Sequence, residues 1–398
     1  MTNFQKAVKY IRPHDIWDLT RTVAAFLPGM ILKLFKRDIW LVSERAEDAH
    51  DNGYWFFKYA RENYPEKNIF YTISFSCDDY INKIKPLGNA INHGSFKHHI
   101  YMWACSKFVS AHIGDSYPGG LISRLFVIYK LYRFKFFFLQ HGVIKTIPPF
   151  LYKEKNNLTS FVVSSEYERQ AVIKDLHYSP NEVPCLGLCR YDNLNEFKVN
   201  KKRILVMPTW RWWLSPKHDR SINETVPFGE SLYFKSIKEI FVSEELQNFL
   251  HENNLELLYF PHFEMQPYLD EFKKSCPNLL CADIKKYDVQ QALKESAILI
   301  TDYSSIDFDF AYMKKPVVYY HFDYEEFTQK HYPKGYFDYN INGFGYVAHT
   351  ADEVVDIVKK SFENGFSMEE KFCKRVDDFF AFRDNENTKR NFEYVLNY

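Results

Sequence analysis

Histidines at the ends of apolar strands are the first residues in this sequence that could carry chemistry. His141 ends the aromatic run FFFLQHG, and Gly142 directly after it permits a tight turn. A histidine in this position is suited to act as a general base, because its pKa lies near neutrality. A loop histidine whose ring is satisfied by backbone groups fits the spacing equally well. Lys145 and Thr146 follow on the same loop and would add a cation and a hydroxyl near a phosphate, unless the lysine is merely solvated.

A second candidate site lies in the segment AILITDYSSIDFDFAYMKKPVVYY, which predicts a strand, a polar turn, a short helix and a further strand. Ser304 and Ser305 fall at the start of the helix, after Asp302 and Tyr303. Unpaired N–H groups at a helix N-terminus bind anions, and small hydroxyl side chains add donors. One serine could instead serve only as the N-cap. The pattern favours a phosphate-binding turn.

The same segment contains a D-x-D pattern, Asp307 and Asp309, of a kind that elsewhere holds Mg²⁺ or Mn²⁺ under a nucleotide diphosphate. Here both residues fall inside the predicted helix, where positions two apart do not face one point. Stabilisation of the first helical turn is therefore the preferred interpretation. No other Asp, Glu or His cluster has metal-ligand spacing. We expect no metal or other cofactor to be required, although Mg²⁺ remains possible.

Two further predicted strand ends carry polar groups. MPTWR presents Thr209 and Arg211, and YFPH presents His262 directly after Pro261. The planar guanidinium of arginine donates to two oxygens at once and so suits a diphosphate. Each signal is weak by itself. Together with the serines they would place a cation, an imidazole and an anion-binding turn at one edge of a sheet.

The elements that position these residues alternate short apolar runs with amphipathic stretches, which is typical of βα units and a parallel sheet. A helix is predicted over 46–62, and Ser165 and Glu168 form a plausible capping box for another helix. Two Rossmann-like halves follow, with a boundary near residue 200 and a ligand between them where strand ends converge. The runs predicted as strands are 39–43, 68–74, 107–112, 134–140, 160–164, 204–210, 255–260, 297–301 and 316–320.

Composition excludes several classes of protein. The 398 residues carry 51 basic and 51 acidic side chains, and this balance argues against a general nucleic-acid binder. The seven cysteines include no C-x-x-C pair, so a reducing cytoplasm is expected rather than a disulfide framework. Neither a G-x-G-x-x-G nor a Walker A loop is present. No signal peptide is recognisable, and no run reaches the roughly 20 apolar residues that span a bilayer.

The motifs resemble those of the CDP-glycerol glycerophosphotransferase family, the teichoic-acid polymerases and primases of bacteria. TDYSSIDFD with its KKP turn, and HG after an apolar strand, are the most specific pieces. The resemblance runs in the family's order over about residues 39–390. The other matching segments are IWLVSERAEDAHDNGYWFFKY, SSEYERQAVIKDL, GLCRYDNL, MPTWR, YDVQQALKESAILI and FRDNENTKR.

This resemblance implies an α/β GT-B fold, with two facing Rossmann-like domains and the active site in the cleft between them. The expected divisions are an N-terminal segment over 1–38, an acceptor domain over 39–200 and a CDP-donor domain over 201–398. His141 would be the catalytic base and His262 the second catalytic histidine, although proline precedes His262 here where the family usually has it after. The residues that the resemblance assigns to the donor are Thr209, Arg211, Tyr287, Asp288, Asp302, Ser304 and Ser305.

The implied activity is transfer of glycerol phosphate, or ribitol phosphate, from a CDP-activated donor to a hydroxyl of a lipid-linked or polymeric acceptor. The sequence leaves open glycerol or ribitol, primase or polymerase, and teichoic acid or capsule. A GT-B glycosyltransferase that uses a nucleotide sugar is the main alternative. A non-catalytic polymer-binding subunit is disfavoured by the intact His141 and serine pair.

Two segments could dock on a membrane, as a lipid-linked acceptor would require. The segment 22–37 is apolar with a basic end, and 121–138 interleaves Arg124, Lys130, Arg133 and Lys135 with bulky apolar residues. Either could instead be a core element with snorkelling lysines, and the second could be in part the strand before His141. We expect a cytoplasmic protein, peripheral on the inner face of the bacterial membrane.

Overall fold

The computed structural model of the protein describes residues 13–194, 199–215, 227–277, 279–283 and 287–398. These residues form two compact units. Unit 1 contains the described residues up to His141, together with Pro149–Asp192 and Ala381–Tyr398. Unit 2 contains Gly142–Pro148 and the described residues of Asn193–Phe380. Residues 1–12 of the expected N-terminal segment lie outside the described residues.

Unit 1 is built on a parallel sheet of six strands in the order β3-β2-β1-β4-β5-β6. This is the strand order of a doubly wound nucleotide-binding fold. β1, β2 and β4 are buried at every position, which explains why their sequences are continuous apolar runs rather than alternating ones. The strands are β1 Trp40–Ser43, β2 Ile69–Ile73, β3 Ala90–Asn92, β4 Lys107–Ser110, β5 Lys135–Phe138 and β6 Ser160–Phe161.

Unit 2 repeats this topology with its own six parallel strands, in the order β12-β11-β10-β7-β8-β9. Two adjacent strands of this sheet, β10 and β11, are also buried at every position. The predicted α/β class with two Rossmann-like units is therefore confirmed. The strands are β7 Asn200–Val206, β8 Glu256–Tyr259, β9 Leu280–Cys281, β10 Ser296–Thr301, β11 Val317–Tyr320 and β12 Gly345–Ala348.

Helices connect the strands in both units, with α1 to α6 and α15 in unit 1 and α7 to α14 in unit 2. Among the described residues, no helix is long and apolar enough to cross a membrane. The helices are α1 Pro13–Ala24, α2 Phe26–Phe35, α3 Asn52–Asn63, α4 Phe96–Ala104, α5 Gly120–Ile128, α6 Glu166–Asp175, α7 Leu232–Val242, α8 Glu244–Glu252, α9 Leu269–Ser275, α10 Val289–Glu295, α11 Ile306–Tyr312, α12 Tyr324–Lys330, α13 Ala351–Glu363, α14 Glu370–Phe379 and α15 Asn387–Asn397, and shorter helical segments at Tyr80–Ile84 and Lys85–Leu87 precede β3.

The C-terminal segment belongs to unit 1, whereas the sequence assigns everything after residue 200 to the second domain. The N–H groups of Asn387 and Thr388, at the start of α15, donate to the carboxylate of Asp192 at 2.9 and 2.7 Å. Phe392 on the same helix packs against Trp40 of β1, with ring centroids 5.6 Å apart. Burial of this helix face in the unit 1 core explains the difference, which a linear division of the chain cannot anticipate.

Every run that the sequence predicts as a strand overlaps a strand of the structure, although β7 spans Asn200–Val206 and so begins and ends four residues before the run predicted over 204–210. The strands that sequence patterning does not reveal are β3, β9 and β12, which are short or only partly buried. The helix predicted over 46–62 begins later, at Asn52, with Asp51 as its N-cap. The Ser165 hydroxyl accepts from the Glu168 N–H, as a capping box requires, but the Glu168 carboxylate accepts from the N–H of Ser164 rather than that of Ser165. Only half of the predicted capping box therefore forms.

Candidate functional site

The carboxyl ends of parallel strands meet at one edge of a sheet, so in unit 1 the loops after β1, β4 and β5 lie side by side. His141 follows β5, and its backbone is held firmly. Arg190 donates to the His141 carbonyl at 2.7 Å, and Asn52 donates to the Gln140 carbonyl at 2.7 Å. Gln140 adopts a left-handed backbone conformation (φ 60°). This conformation places His141 at the sheet edge.

The environment of His141 keeps its ring in the form a general base needs. The residue is exposed, but protein atoms crowd its remaining sides, and the resulting desolvation lowers its pKa to about 4. The carboxylate of Asp51 and the backbone of Ala111 act in the opposite direction and raise the pKa, but by less than desolvation lowers it. A neutral imidazole keeps a lone pair on one of its two nitrogens. The ring is therefore neutral and able to accept a proton at pH 7.

Three residues next to His141 form a cluster that the sequence analysis did not single out. The ring of His112, which follows β4, stacks on the His141 ring with centroids 4.8 Å apart and an interplanar angle of 17°. Asp51 accepts a hydrogen bond from Arg190 at 2.6 Å and lies 4.0 Å from the His112 ring nitrogen Nε2. A polar residue directly after a predicted buried strand is the signal that could have identified His112.

Glu44, directly after β1, organises the loop that carries Asp51. Its carboxylate accepts from the N–H groups of His50, Asp51 and Tyr54 at 3.0, 3.0 and 2.6 Å. Burial raises the pKa of Glu44 to about 7. The neighbouring His50 pairs with Asp79 at 3.2 Å, and although burial opposes the charge, this hydrogen bond raises the pKa of His50 to about 9.

In unit 2, Arg211 lies at the centre of a buried ion-pair network. Its guanidinium donates to Asp323 at 2.7 and 2.9 Å, to Asp302 at 2.8 Å and to the Thr209 carbonyl at 2.6 Å. Arg211 is 0% exposed. Burial works against its charge, but Asp323 and Asp302 raise its pKa well above the ordinary value. The guanidinium fork expected to meet a diphosphate is therefore already occupied by carboxylates.

Asp302 connects this network to the strand ends. One of its oxygens accepts from the N–H groups of Thr209 and Tyr303 at 2.7 and 2.5 Å, and the other accepts from Arg211. The Tyr303 hydroxyl donates to Asp323 at 3.0 Å. Asp302 and Arg211 thus fix the backbone of the two loops that carry Thr209 and the serines. Asp323, a partner that sequence reasoning missed, closely follows β11 in the run YYHFD.

The hydroxyl-bearing residues of unit 2 remain nearer the surface. Ser304 and Ser305 are both partly exposed at the start of α11. Ser305 is the N-cap residue, but its side chain makes no capping hydrogen bond, while the Ser304 hydroxyl accepts weakly from the Ile306 N–H at 3.4 Å. The Thr209 hydroxyl is buried and has no hydrogen-bond partner within the part of the chain that the structure describes. These groups could meet a ligand.

Lys145 is buried in unit 2 rather than solvated. Its ammonium donates to the Ser304 carbonyl at 2.8 Å and to Asp307 at 3.1 Å, while Tyr319 donates to the other Asp307 oxygen at 2.8 Å. Burial lowers the pKa of Lys145 and raises that of Asp307, against their mutual attraction. Asp307 of the D-x-D pattern thus anchors the loop after His141.

His262 begins the short 3₁₀ segment Phe263–Tyr268, where its Nδ1 accepts from the Glu264 N–H at 3.3 Å. Its ring stacks on that of Trp210, with centroids 5.8 Å apart and an interplanar angle of 14°. Trp210, in the aromatic run after β7, therefore helps to position the ring of His262, the second predicted catalytic histidine.

The remaining predicted residues, Tyr287 and Asp288, precede α10. Asp288 is its N-cap and accepts from the Gln291 N–H at 3.0 Å, and Tyr287 is 39% exposed. Their contact with a nucleotide stays a prediction. Among the residues that the structure describes, no group of three His, Cys, Asp or Glu side chains is arranged to hold a metal ion. That the protein requires no metal also stays a prediction.

Comparison with known proteins identifies the family. A model of CDP-glycerol:poly(glycerophosphate) glycerophosphotransferases matches residues 26–397. The chain belongs to this family. The minor teichoic acid biosynthesis protein GgaB of Bacillus subtilis (strain 168) is 32% identical over 384 residues, which are 95% of this chain and 42% of GgaB. A teichoic acid poly(glycerol phosphate) polymerase of Bacillus spizizenii is 26% identical over 203 residues, 50% of this chain and 45% of that protein. The chain spans well under two thirds of the length of GgaB.

Solved structures show the same fold. The wall teichoic acid polymerase TagF matches with a TM-score of 0.67 and 15% identity over 97% of this chain and 98% of that one. A UDP-GlcNAc 2-epimerase from Neisseria meningitidis matches with a TM-score of 0.52 and 9% identity, covering 91% of this chain and 100% of that chain. At these identities the likeness concerns fold alone. It confirms the GT-B-like class for this glycerophosphotransferase family member.

Proposed function

We propose that the protein transfers an alditol phosphate, glycerol phosphate in the first instance, from a CDP-activated donor to a hydroxyl of a teichoic-acid-type acceptor. The observation that carries the proposal is the exposed, neutral ring of His141 after β5, in a chain of the CDP-glycerol glycerophosphotransferase family. Relatives named as polymerases of poly(glycerol phosphate) and poly(ribitol-phosphate) support both donor classes. One TagF structure was determined after a soak with CDPG.

In the proposed reaction, the acceptor oxygen attacks the β-phosphorus of the donor. The bond between that phosphorus and the bridging oxygen breaks, CMP leaves, and the acceptor proton passes to His141 and then to solvent. Phosphoryl transfer depends mainly on positioning and on stabilisation of charge. We assign donor phosphate contacts to Thr209, Ser304 and Ser305, whose hydroxyls are not locked in strong hydrogen bonds.

Arg211 and Asp302 take a positioning role in this scheme. The Asp302 carboxylate binds the Arg211 guanidinium and also accepts from the backbone N–H of Thr209, one of the residues that carry the hydroxyls. His262, half-buried beside Trp210, remains a candidate for stabilising the leaving phosphate.

The first test is donor choice. Purified protein is incubated with CDP-glycerol, CDP-ribitol or a UDP- or GDP-sugar, together with a short synthetic lipid-linked acceptor. CMP release and product mass are then measured. We expect CMP from a CDP-alditol, with the product ladder separating addition of one unit from addition of many. Turnover of only a UDP- or GDP-sugar would contradict the proposal and favour the glycosyltransferase alternative.

We further propose that unit 1 docks on an anionic membrane surface through α1 and α2. Leu34 and Phe35 are 78% and 83% exposed, and the exposed cations Lys36 and Arg37 follow them directly. Apolar side chains flanked by cations suit the interface of an anionic bilayer. The other large apolar residues exposed on these helices are Ile16, Trp17, Leu19, Val23, Phe26, Leu27, Met30 and Ile31.

The second segment expected at the membrane, 121–138, divides into different elements. Its first part is α5, which packs against α1, and its last part is β5, a strand of the sheet. Tyr129 and Leu131, which lie between these two elements, are 72% and 49% exposed. This middle part could contribute to the same surface.

Replacement of Leu34 and Phe35 by glutamate is expected to lower binding to phosphatidylglycerol-containing vesicles by on the order of tenfold or more, since each buried apolar side chain contributes roughly 1.5–3 kcal/mol. Sedimentation with vesicles measures the effect. Ile341→Glu is the matched control, because Ile341 is 70% exposed but lies in unit 2. Equal binding of the double variant and the control would refute this docking surface.

A further inference from the structure

We propose that His112 is a positioning residue for His141, and that Asp51 supplies the fixed negative charge that offsets the imidazolium formed when His141 accepts the acceptor proton. The inference rests on the proposed function, because it takes His141 as the base. All residues that carry it lie in unit 1.

The stacking of the two histidines follows from the sheet. β4 and β5 are adjacent and parallel, with Ser110 opposite Phe138, so the loops after them run side by side. The Ser110 hydroxyl donates to the His112 carbonyl at 2.8 Å and accepts from the His112 N–H at 3.1 Å. This double contact fixes the backbone of His112. His112 is only 8% exposed, and its ring covers one face of the His141 ring and keeps water from it.

Asp51 is equally fixed. It caps α3 by accepting from the Asn52 N–H at 2.7 Å, and it binds Arg190 at 2.6 Å through the same oxygen. The second oxygen is directed toward His112, 4.0 Å from Nε2. Arg190 also holds the His141 carbonyl. The Arg190 guanidinium therefore holds both the Asp51 carboxylate and the backbone of His141.

The charges around His141 oppose each other. Asp51 raises the pKa of His141, while Arg45 and Arg190 lower it, and desolvation lowers it more than any of these charges. Burial and the cations Arg45, His50 and Arg190 also lower the pKa of His112, so its ring is neutral. Glu44 lies behind the loop that holds Asp51. Asp51 is thus the charge that keeps His141 basic despite its two cationic neighbours.

This arrangement predicts opposite effects for the two residues. Loss of the His112 ring admits water to the face of His141, which stabilises the charged form and raises its pKa. Loss of the Asp51 charge leaves the arginines unbalanced and lowers the pKa by about 1 or more. If Asp51 were too distant or too well screened to act on His141, its replacement would leave the titration unchanged.

The experiment is NMR titration of ¹³C-labelled histidine in the whole protein, with the His141 signal assigned by its absence in His141→Gln. The wild-type signal should remain that of a neutral ring down to about pH 5. In His112→Ala the titration should move upward into an accessible range. Adding Asp51→Asn to this variant should move it down again, whereas adding Asp78→Asn should not, because Asp78 is an exposed carboxylate of the same unit.

If His112→Ala does not fold, Arg45→Gln gives the same accessible range, since it removes a 40% exposed cation that lowers the pKa of His141. Asp51→Asn should then lower the titration in that background. His112→Phe, which keeps a flat ring, should retain kcat within about threefold of the wild-type value, while His112→Ala lowers kcat with little change in KM. Unchanged titration on Asp51→Asn in both backgrounds would refute the proposal. The titration needs no donor, so a protein with the expected shifts but no CMP release would refute the proposed transfer alone.

Discussion

Replacement of His141 by alanine is expected to lower the rate of CMP release by on the order of 10²–10⁴, the usual contribution of a general base. The structure gives the reason. Desolvation lowers the pKa of His141 to about 4, so nearly every wild-type molecule at pH 7 carries a neutral imidazole ready to accept a proton. The measurement is initial CMP release at saturating donor and acceptor, with CDP-glycerol binding to the same protein followed by calorimetry.

Donor binding should be nearly unchanged by this substitution, because the proposed phosphate contacts lie in unit 2. His177→Ala is the matched control, since His177 is an exposed histidine of unit 1 paired with Glu154. The pH profile adds an independent check. The wild-type rate should rise with pH through about 4 rather than 6.5, and should be flat between pH 6 and 8. Retention of more than a tenth of the wild-type rate by His141→Ala would exclude His141 as the base.

The position of His141 could be predicted because local patterns determine it. An apolar strand followed by a histidine and a glycine places the side chain at the carboxyl edge of a sheet, whatever the rest of the chain does. The same reasoning located Thr209, Ser304 and Ser305. Long continuous apolar runs identified the buried strands for a related reason, since a strand covered on both faces needs apolar residues at every position.

Contacts between distant segments could not be predicted in this way. Lys145 looks like an ordinary loop cation, yet it is buried against Asp307, 162 positions further along the chain. Arg211 looks like a diphosphate ligand, yet its guanidinium already donates hydrogen bonds to Asp302 and Asp323. A single sequence shows the charge of a residue but not its partner. The fold determines whether an arginine meets a substrate or a buried carboxylate.

The pairing of α15 with unit 1 is a further example. Its sequence shows an amphipathic helix, but nothing in it indicates which core buries the apolar face. Asp192, at the end of the unit 1 segment Pro149–Asp192, holds the start of this helix by accepting from the N–H groups of Asn387 and Thr388. The hydrophobic periodicity of a helix cannot reveal a partner that lies about 200 positions away in the sequence.

Arg211→Met should destabilise unit 2 by about 3–5 kcal/mol, the range measured when one partner of a buried ion pair is removed. The substitution leaves Asp302 and Asp323, each about 1% exposed at the side chain, without their cation. Methionine has a similar length but cannot replace the hydrogen bonds. Urea unfolding followed by tryptophan fluorescence measures the change, because Trp210, Trp212 and Trp213 lie within two positions of Arg211 in the sequence.

Arg375→Met is the matched control, because Arg375 in the same unit donates to the carbonyls of Gly343 and Asn340 and leaves no buried carboxylate when it is removed. It should cost less than half as much. Arg211→Lys should fall between the two, since a lysine keeps the charge but cannot reach both carboxylates with a planar fork. A loss below about 1 kcal/mol for Arg211→Met would mean that the guanidinium does not hold this network together, and would return Arg211 to the role of a direct donor ligand.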